Sequence, residues 1–163
     1  MIITFCGQKG GTGKTTLSFL LAETLSRAGK RVAVRDDDPQ KSLTEVIEET
    51  RADGKTKVEL WDKSRAGDFD FVIVDTQPRL DSRVLQESIR EADRLILPLK
   101  PSMVDIRATL PAVEMVKANL GKDARAFVLW NMVKQGTRIS RELEGLEAMI
   151  GLPVLKGQVP ERI

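Results

Sequence analysis

The chain has 163 residues, 41% hydrophobic and 31% charged, with 26 basic against 24 acidic side chains for a formal net charge of +2. That length predicts one globular, soluble domain with a sizeable core. No apolar run approaches the roughly eighteen residues that cross a bilayer, and so slight a charge excess is no argument for nucleic acid. With no histidine, imidazole chemistry and His-ligated metals are excluded, and the one cysteine, Cys6, makes neither an internal disulfide nor a paired-cysteine metal site, which fits a reducing cytosol.

Ile2 to Cys6 is a short apolar run with no basic leader before it, and it reads as a first strand. It runs directly into GQKGGTGKTT, Gly7 to Thr16. Gly10, Gly11 and Gly13 free the backbone to turn so that successive N–H groups converge on an anion, and a helix starting near Lys14 aims its positive end at the same point. Lys14 is placed to reach β- and γ-phosphates, and Thr15 to offer its hydroxyl to Mg²⁺. The strict pattern GxxxxGK[ST] is not met, because Gln8 stands where its first glycine belongs.

Leu17, Leu20, Leu21 and Leu25 continue the helix and Gly29 sits at its C-terminal cap. Arg31 to Arg35 predict a strand, broken by the acidic turn Asp36-Asp37-Asp38 and Pro39. Ser42 to Thr50 suggest a short helix, and VELW a weak strand. Phe71 to Val74 form a continuous apolar run ending in Asp75, the pattern of a buried parallel strand with an acid at its carboxyl end; the strand is Walker-B-like, and Asp75 is expected to hold Mg²⁺ through a water. Leu80 to Ala92 read as a helix, Arg94 to Leu99 as a strand, and Val104 to Leu120 as a helix that Pro111 kinks or restarts. Ala126 to Trp130 predict a strand ending at Asn131. Ile139, Leu143, Leu146 and Ile150 mark an amphipathic helix, and Pro153 to Leu155 a last short strand.

Residues 8 to 16, QKGGTGKTT, resemble the deviant phosphate loop of ParA-type partition ATPases in the wider ParA/MinD group, in which the additional lysine, here Lys9, is the signature. The resemblance extends to Asp36-Asp37-Asp38-Pro39-Gln40, similar to the family's DxDPQ, to Asp75-Thr76-Gln77-Pro78, where Gln77 replaces a proline, and to Glu91 to Pro98 with Pro101-Ser102. It implies that Lys9 reaches a partner subunit's phosphates, Asp38 orients the attacking water, Asp36 lies near the Mg²⁺ shell, and Asn131 contacts adenine. Asp37 occupies a variable position and is expected to be solvated. Arg35 stands where relatives carry an apolar residue and is expected to snorkel or pair with an aspartate. Lys134, Arg138 and Arg141 are candidates for DNA phosphates, although a solvated basic face explains them equally well.

The expected fold is a three-layer α/β/α P-loop NTPase with a mainly parallel sheet, formed by residues 1–163 as a single domain without the further C-terminal helices that the resemblance implies. The catalytic set is Lys9, Lys14 and Asp38. The nucleotide set is Lys9, Gly10, Gly11, Thr12, Gly13, Lys14, Thr15, Thr16 and Asn131, and the metal set is Thr15, Asp36 and Asp75. The resemblance implies ATP and Mg²⁺ as cofactors, a homodimer when ATP is bound, a ParB-like stimulating partner, non-specific DNA, and a cytoplasmic or nucleoid-associated location. Paired-cysteine relatives and tyrosine kinases of similar fold are set aside, because the chain has one cysteine and no tyrosine. A MinD-like positioning ATPase and a non-hydrolysing nucleotide-binding regulatory module are the alternatives.

Overall fold

The computed structural model describes residues 1–79, 82–134, 136 and 143–161. Seven strands form the sheet: β1 (Ile2–Phe5), β2 (Val32–Asp36), β3 (Glu59–Leu60), β4 (Phe71–Asp75), β5 (Arg94–Leu99), β6 (Arg125–Val133) and β7 (Val154–Pro160). Their order is β3-β2-β4-β1-β5-β6-β7, and among the described residues every pairing is parallel. Among the described residues the α-helices are α1 (Lys14–Arg27), α2 (Ser42–Ala52), α3 (Arg83–Glu91), α4 (Met103–Asn119) and α5 (Leu143–Ile150). The three-layer α/β/α arrangement expected from the alternating strands and helices is the one observed.

Strand side chains alternate between two faces, so each strand feeds two cores. Ile3, Phe5, Val32, Val34 and Ile73 pack with Leu17 and Ala22 of α1 and with Leu43 and Ile47 of α2. On the other face Leu95, Leu97, Leu99, Val128 and Trp130 meet Leu85 and Ile89 of α3, Ile106, Val113 and Val116 of α4, and Ile150 of α5. Neighbouring β1 and β4 therefore send their following helices, α1 and α3, to opposite faces. The crevice outside their carboxyl ends is the topological switch point, where open α/β sheets bind ligands.

Five elements differ from the sequence-based expectation. The polar stretch Lys63–Asp68 is a 3₁₀ segment capped by Asp62, which accepts a hydrogen bond from Ser64 N–H at 2.8 Å. α3 begins at Arg83 with Ser82 as its N-cap, while Leu80 lies outside the described residues. α4 runs on through Pro111, where both Pro111 and Arg107, whose carbonyl the missing N–H would have met, are exposed to water. β7 extends to Pro160, and β6 continues past Asn131 to Val133, with Met132 at φ 54° and register shifts against β7. Of the predicted last helix, Ile139 lies outside the described residues.

Candidate functional site

The loop between β1 and α1 is shaped mainly by its own backbone. Gly11 and Gly13 sit at φ 71° and 89°, in the left-handed region that side chains disfavour, and α1 starts immediately after Gly13 with Gly13 as its N-cap. A Cβ at Gly13 would also stand 2.4 Å from Asn131 Nδ2. That amide is buried, and its N–H₂ group donates to the Thr12 carbonyl at 2.7 Å. Asn131 is thus no strand-terminal residue, as the sequence suggested. The irregular backbone near Met132 interrupts the β6–β7 register, and the Asn131 amide clamps the loop from behind.

Lys14 is 7% exposed, and its ammonium donates to the Lys9 carbonyl at 3.4 Å across the loop. Burial holds its pKa below the usual lysine range, an effect opposed by the nearby Asp75, Cys6 and Asp38. Cys6 itself is pushed up to about 12 by burial, so its thiol is neutral. Thr15 Oγ1 donates to Asp75 Oδ2 at 2.6 Å. Asp75 is 1% exposed, and its Oδ1 is buried with no hydrogen-bond partner. Desolvation first, then the carboxylates of Asp36 and Asp38, raise the Asp75 pKa to about 6, against the lowering by Thr15 and Lys14.

A native structure rarely leaves a carboxylate oxygen dry and unpaired. Here the orphan oxygen belongs to the same carboxylate that holds the Thr15 hydroxyl, a donor set of oxygens that fits Mg²⁺. Among the described residues no three metal-ligating side chains cluster, so the protein alone builds no cage. That also matches a cation shared with phosphates and water.

Asp36 is 8% exposed and is heavily used by the chain itself. Its Oδ1 accepts from Asp38 N–H at 3.1 Å and its Oδ2 from Thr44 N–H at 3.0 Å, fixing the turn to the first turn of α2. Asp38 Oδ1 accepts from Gln40 N–H at 2.9 Å. Asp38, Pro39 and Gln40 after β2, Gln77, Pro78 and Arg79 after the neighbouring β4, and Gly10, Gly11, Gly13, Lys14, Thr15 and Thr16 after β1 together line a cleft of about 490 Å³. Thr76 donates its hydroxyl to the Phe5 carbonyl at 2.9 Å, which ties the end of β4 to the end of β1.

Lys9 stands apart. Its ammonium forms an ion pair with Asp105 of α4, a carboxylate 6% exposed, and it does not line the cleft. The structure therefore gathers Gly10, Gly11, Gly13, Lys14, Thr15, Thr16 and Asp38 around one cleft, with Asp75 beneath Thr15 and Thr12 and Asn131 behind it. Lys134 is exposed just after β6, whereas Arg138 and Arg141 lie outside the described residues.

Two residues carry more than the sequence implied. Asp37 is not solvated: its side chain is 14% exposed, and its carboxylate accepts from Arg35 Nε at 3.1 Å and Ser88 Oγ at 2.6 Å. The signal was present in Arg35, a charged residue in an otherwise apolar strand that demanded a counter-ion. For Asp105 no spacing in the sequence pointed to Lys9.

A model of the CobQ/CobB/MinD/ParA nucleotide binding domain matches residues 3–163. The "Maintenance of carboxysome distribution protein A" of Halothiobacillus neapolitanus is 29% identical over 94% of this chain and 76% of its own length. Its namesake from Gloeobacter kilaueensis is 34% identical over 78% of this chain, which spans 62% of that relative. Among solved structures, cobyrinic acid a,c-diamide synthase from Mycobacterium smegmatis, with bound ATP analog and magnesium, superposes with a TM-score of 0.81 at 21% identity, covering 99% of this chain and 87% of the other. That likeness concerns the fold.

Proposed function

The chain belongs to the CobQ/CobB/MinD/ParA nucleotide-binding family, and from that premise we propose that it is a Mg²⁺-dependent ATPase whose ATP-bound dimer acts as a partition or positioning switch. The observation that carries the reading is the Thr15–Asp75 pair beneath the glycine loop, with one buried carboxylate oxygen left over. A hydroxyl and a carboxylate oxygen at the mouth of a glycine loop are the ligands a phosphate-bound Mg²⁺ takes.

In this reading the loop N–H groups and Lys14 bind the β- and γ-phosphates of ATP. Thr15 and Asp75 would hold Mg²⁺, which supplies neutralisation of the phosphate charge. Asp36 keeps the acidic turn in place and adds negative charge near that shell. Asp38, on the cleft wall, accepts the hydrogen bond of the attacking water and holds its proton as the oxygen turns toward phosphorus. Asn131 spends its N–H₂ group on Thr12, which leaves its carbonyl oxygen for the adenine amino group.

Lys9 supplies the switch. In the single subunit it is engaged by Asp105, so it adds no charge to its own cleft. Release from Asp105 lets it reach the phosphates bound by a second copy, and because that contact exists only between two nucleotide-loaded subunits, ATP favours the dimer and hydrolysis loosens it. The carboxysome-distribution relatives and the likeness to partition ATPases support a cargo-positioning role, in which the dimer rides on non-specific DNA, with Lys134, Arg138 and Arg141 as phosphate contacts, and a ParB-like protein stimulates hydrolysis. No described helix is long and apolar enough to cross a membrane.

Phosphate release from ATP, measured with and without Mg²⁺ and with added duplex DNA, tests the catalytic part. Mg²⁺-dependent turnover is expected. Tight nucleotide binding with no turnover under any of these conditions would instead identify a non-hydrolysing module.

A further inference from the structure

β2 sends Val32, Val34 and Asp36 toward α1 and α2, so Arg35 and the following Asp37 lie on the α3 side. An apolar side chain would serve the sheet at least as well as Arg35, since withdrawing a guanidinium from water is costly. The arginine is instead fully engaged. Its Nη1 donates to Glu91 at 2.6 Å, its Nε to Asp37 at 3.1 Å and its Nη2 to Ser88 Oγ at 3.3 Å, while the guanidinium carbon lies 5.3 Å from the Trp61 ring centroid.

Ser88 is 1% exposed and has one hydroxyl hydrogen to give. Two acceptors compete for it, Asp37 Oδ2 at 2.6 Å and the Val84 carbonyl at 2.7 Å. The charged acceptor makes the stronger bond. Asp37 is also fixed through its backbone, whose N–H donates to the Asp75 carbonyl at 2.8 Å. The residue before Asp38 is thus pinned by main chain, guanidinium and hydroxyl together. α3, the source of that hydroxyl, follows the segment whose Gln77, Pro78 and Arg79 line the same cleft as Asp38.

We propose that Asp37, Ser88 and Arg35 are positioning residues that set where Asp38 stands in the cleft, so that the Ser88–Asp37 hydrogen bond governs turnover without touching nucleotide. This rests on the ATPase reading above. Asp38 needs such support because among the described residues its own carboxylate accepts a single hydrogen bond, from Gln40 N–H two residues on, and a misplacement of about 1 Å is enough to spoil attack geometry.

The test compares Ser88→Ala, Asp37→Asn, Ser88→Thr and the double variant Ser88→Ala/Asp37→Asn, with Leu85→Ala as a packing control on the same helix. Readouts are kcat, Kd for a non-hydrolysable ATP analogue with Mg²⁺, and Tm. Ser88→Ala and Asp37→Asn should each lower kcat about tenfold while Kd stays within about twofold. The double variant should be little slower than the slower single one, because both act on the same bond, which Ser88→Ala removes and Asp37→Asn weakens by taking the charge from its acceptor, and Ser88→Thr, which keeps the hydroxyl, should retain most of the turnover. Wild-type kcat in both single variants overturns the proposal. So does an equal kcat loss in Leu85→Ala at matched Tm, which would reduce the network to packing. A wild-type chain that binds Mg²⁺-ATP without turnover overturns the ATPase reading and this inference with it, whereas wild-type turnover with unaffected variants overturns this inference alone.

Discussion

The two loops that meet at the cleft are held in place by different physics. The glycine loop, residues 7–15, keeps its shape through backbone torsions available to Gly11 and Gly13 and through a single amide clamp from Asn131. The acidic turn, residues 36–41, keeps its shape through charge: Asp36 on Thr44 and Asp38 N–H, Asp37 on Arg35 and Ser88, and Lys41 on the Asp36 carbonyl. A loop that only binds can be rigid. A loop that must place a reacting water beside a changing phosphate is better tied to the elements around it, because side-chain bonds can be exchanged as the ligand changes.

That contrast predicts which residue controls which property. The largest effect belongs to the acidic turn: Asp38→Ala should lower kcat by about 10³ while nucleotide affinity is retained. Single-turnover phosphate release checks this, and wild-type hydrolysis in that variant would remove Asp38 from its role. In the glycine loop, Lys14→Ala should act on binding, weakening nucleotide affinity about a hundredfold through loss of a charge-assisted contact. Calorimetry decides it, since unchanged affinity would break the assignment of the loop.

Gly13→Ala sharpens the comparison at the level of stability. The left-handed φ and the clash with the clamped Asn131 amide should together cost about 2 kcal/mol in the ligand-free chain. Chemical denaturation measures it, and a wild-type midpoint would mean that the loop relaxes freely.

Asp75 offers an effect of similar size that depends on pH. Its folded-state pKa of about 6 is raised above the ordinary aspartate value. Proton binding therefore favours the fold: the contribution is fully present below about pH 4, is lost as the pH rises through about 6, and leaves an ionised, half-satisfied carboxylate at neutral pH. Asp75→Asn should stabilise the ligand-free chain by about 2 kcal/mol at pH 7, a rise in Tm of roughly 4 to 8 °C, and by nothing near pH 4. A gain independent of pH would assign the effect to packing.

How much of this was legible beforehand follows from the same contrast. The glycine loop could be read because its determinants are neighbours in sequence: glycines, a lysine and a threonine in a fixed order between a strand and a helix. Asp75 could be read because a carboxylate closing an apolar run marks the end of a parallel strand. Asp37 was half legible: Arg35, two residues before it, called for a counter-ion, but the hydroxyl that completes its contacts comes from Ser88, 51 residues away. The engagement of Lys9 by Asp105, 96 residues away, could not be read. Asn131 was found for one reason and proved to have another use, because the strand bulge that aims it at Thr12 has no local signature.

Whether nucleotide drives two copies of this chain together through Lys9 is read by light scattering of the chain with Mg²⁺-ATP and with Mg²⁺-ADP, alongside the Lys9→Ala variant. A dimer is expected with ATP only, lost in the variant while nucleotide binding survives. A monomer in every condition, or a dimer indifferent to both nucleotide and Lys9, would remove Lys9 from that role.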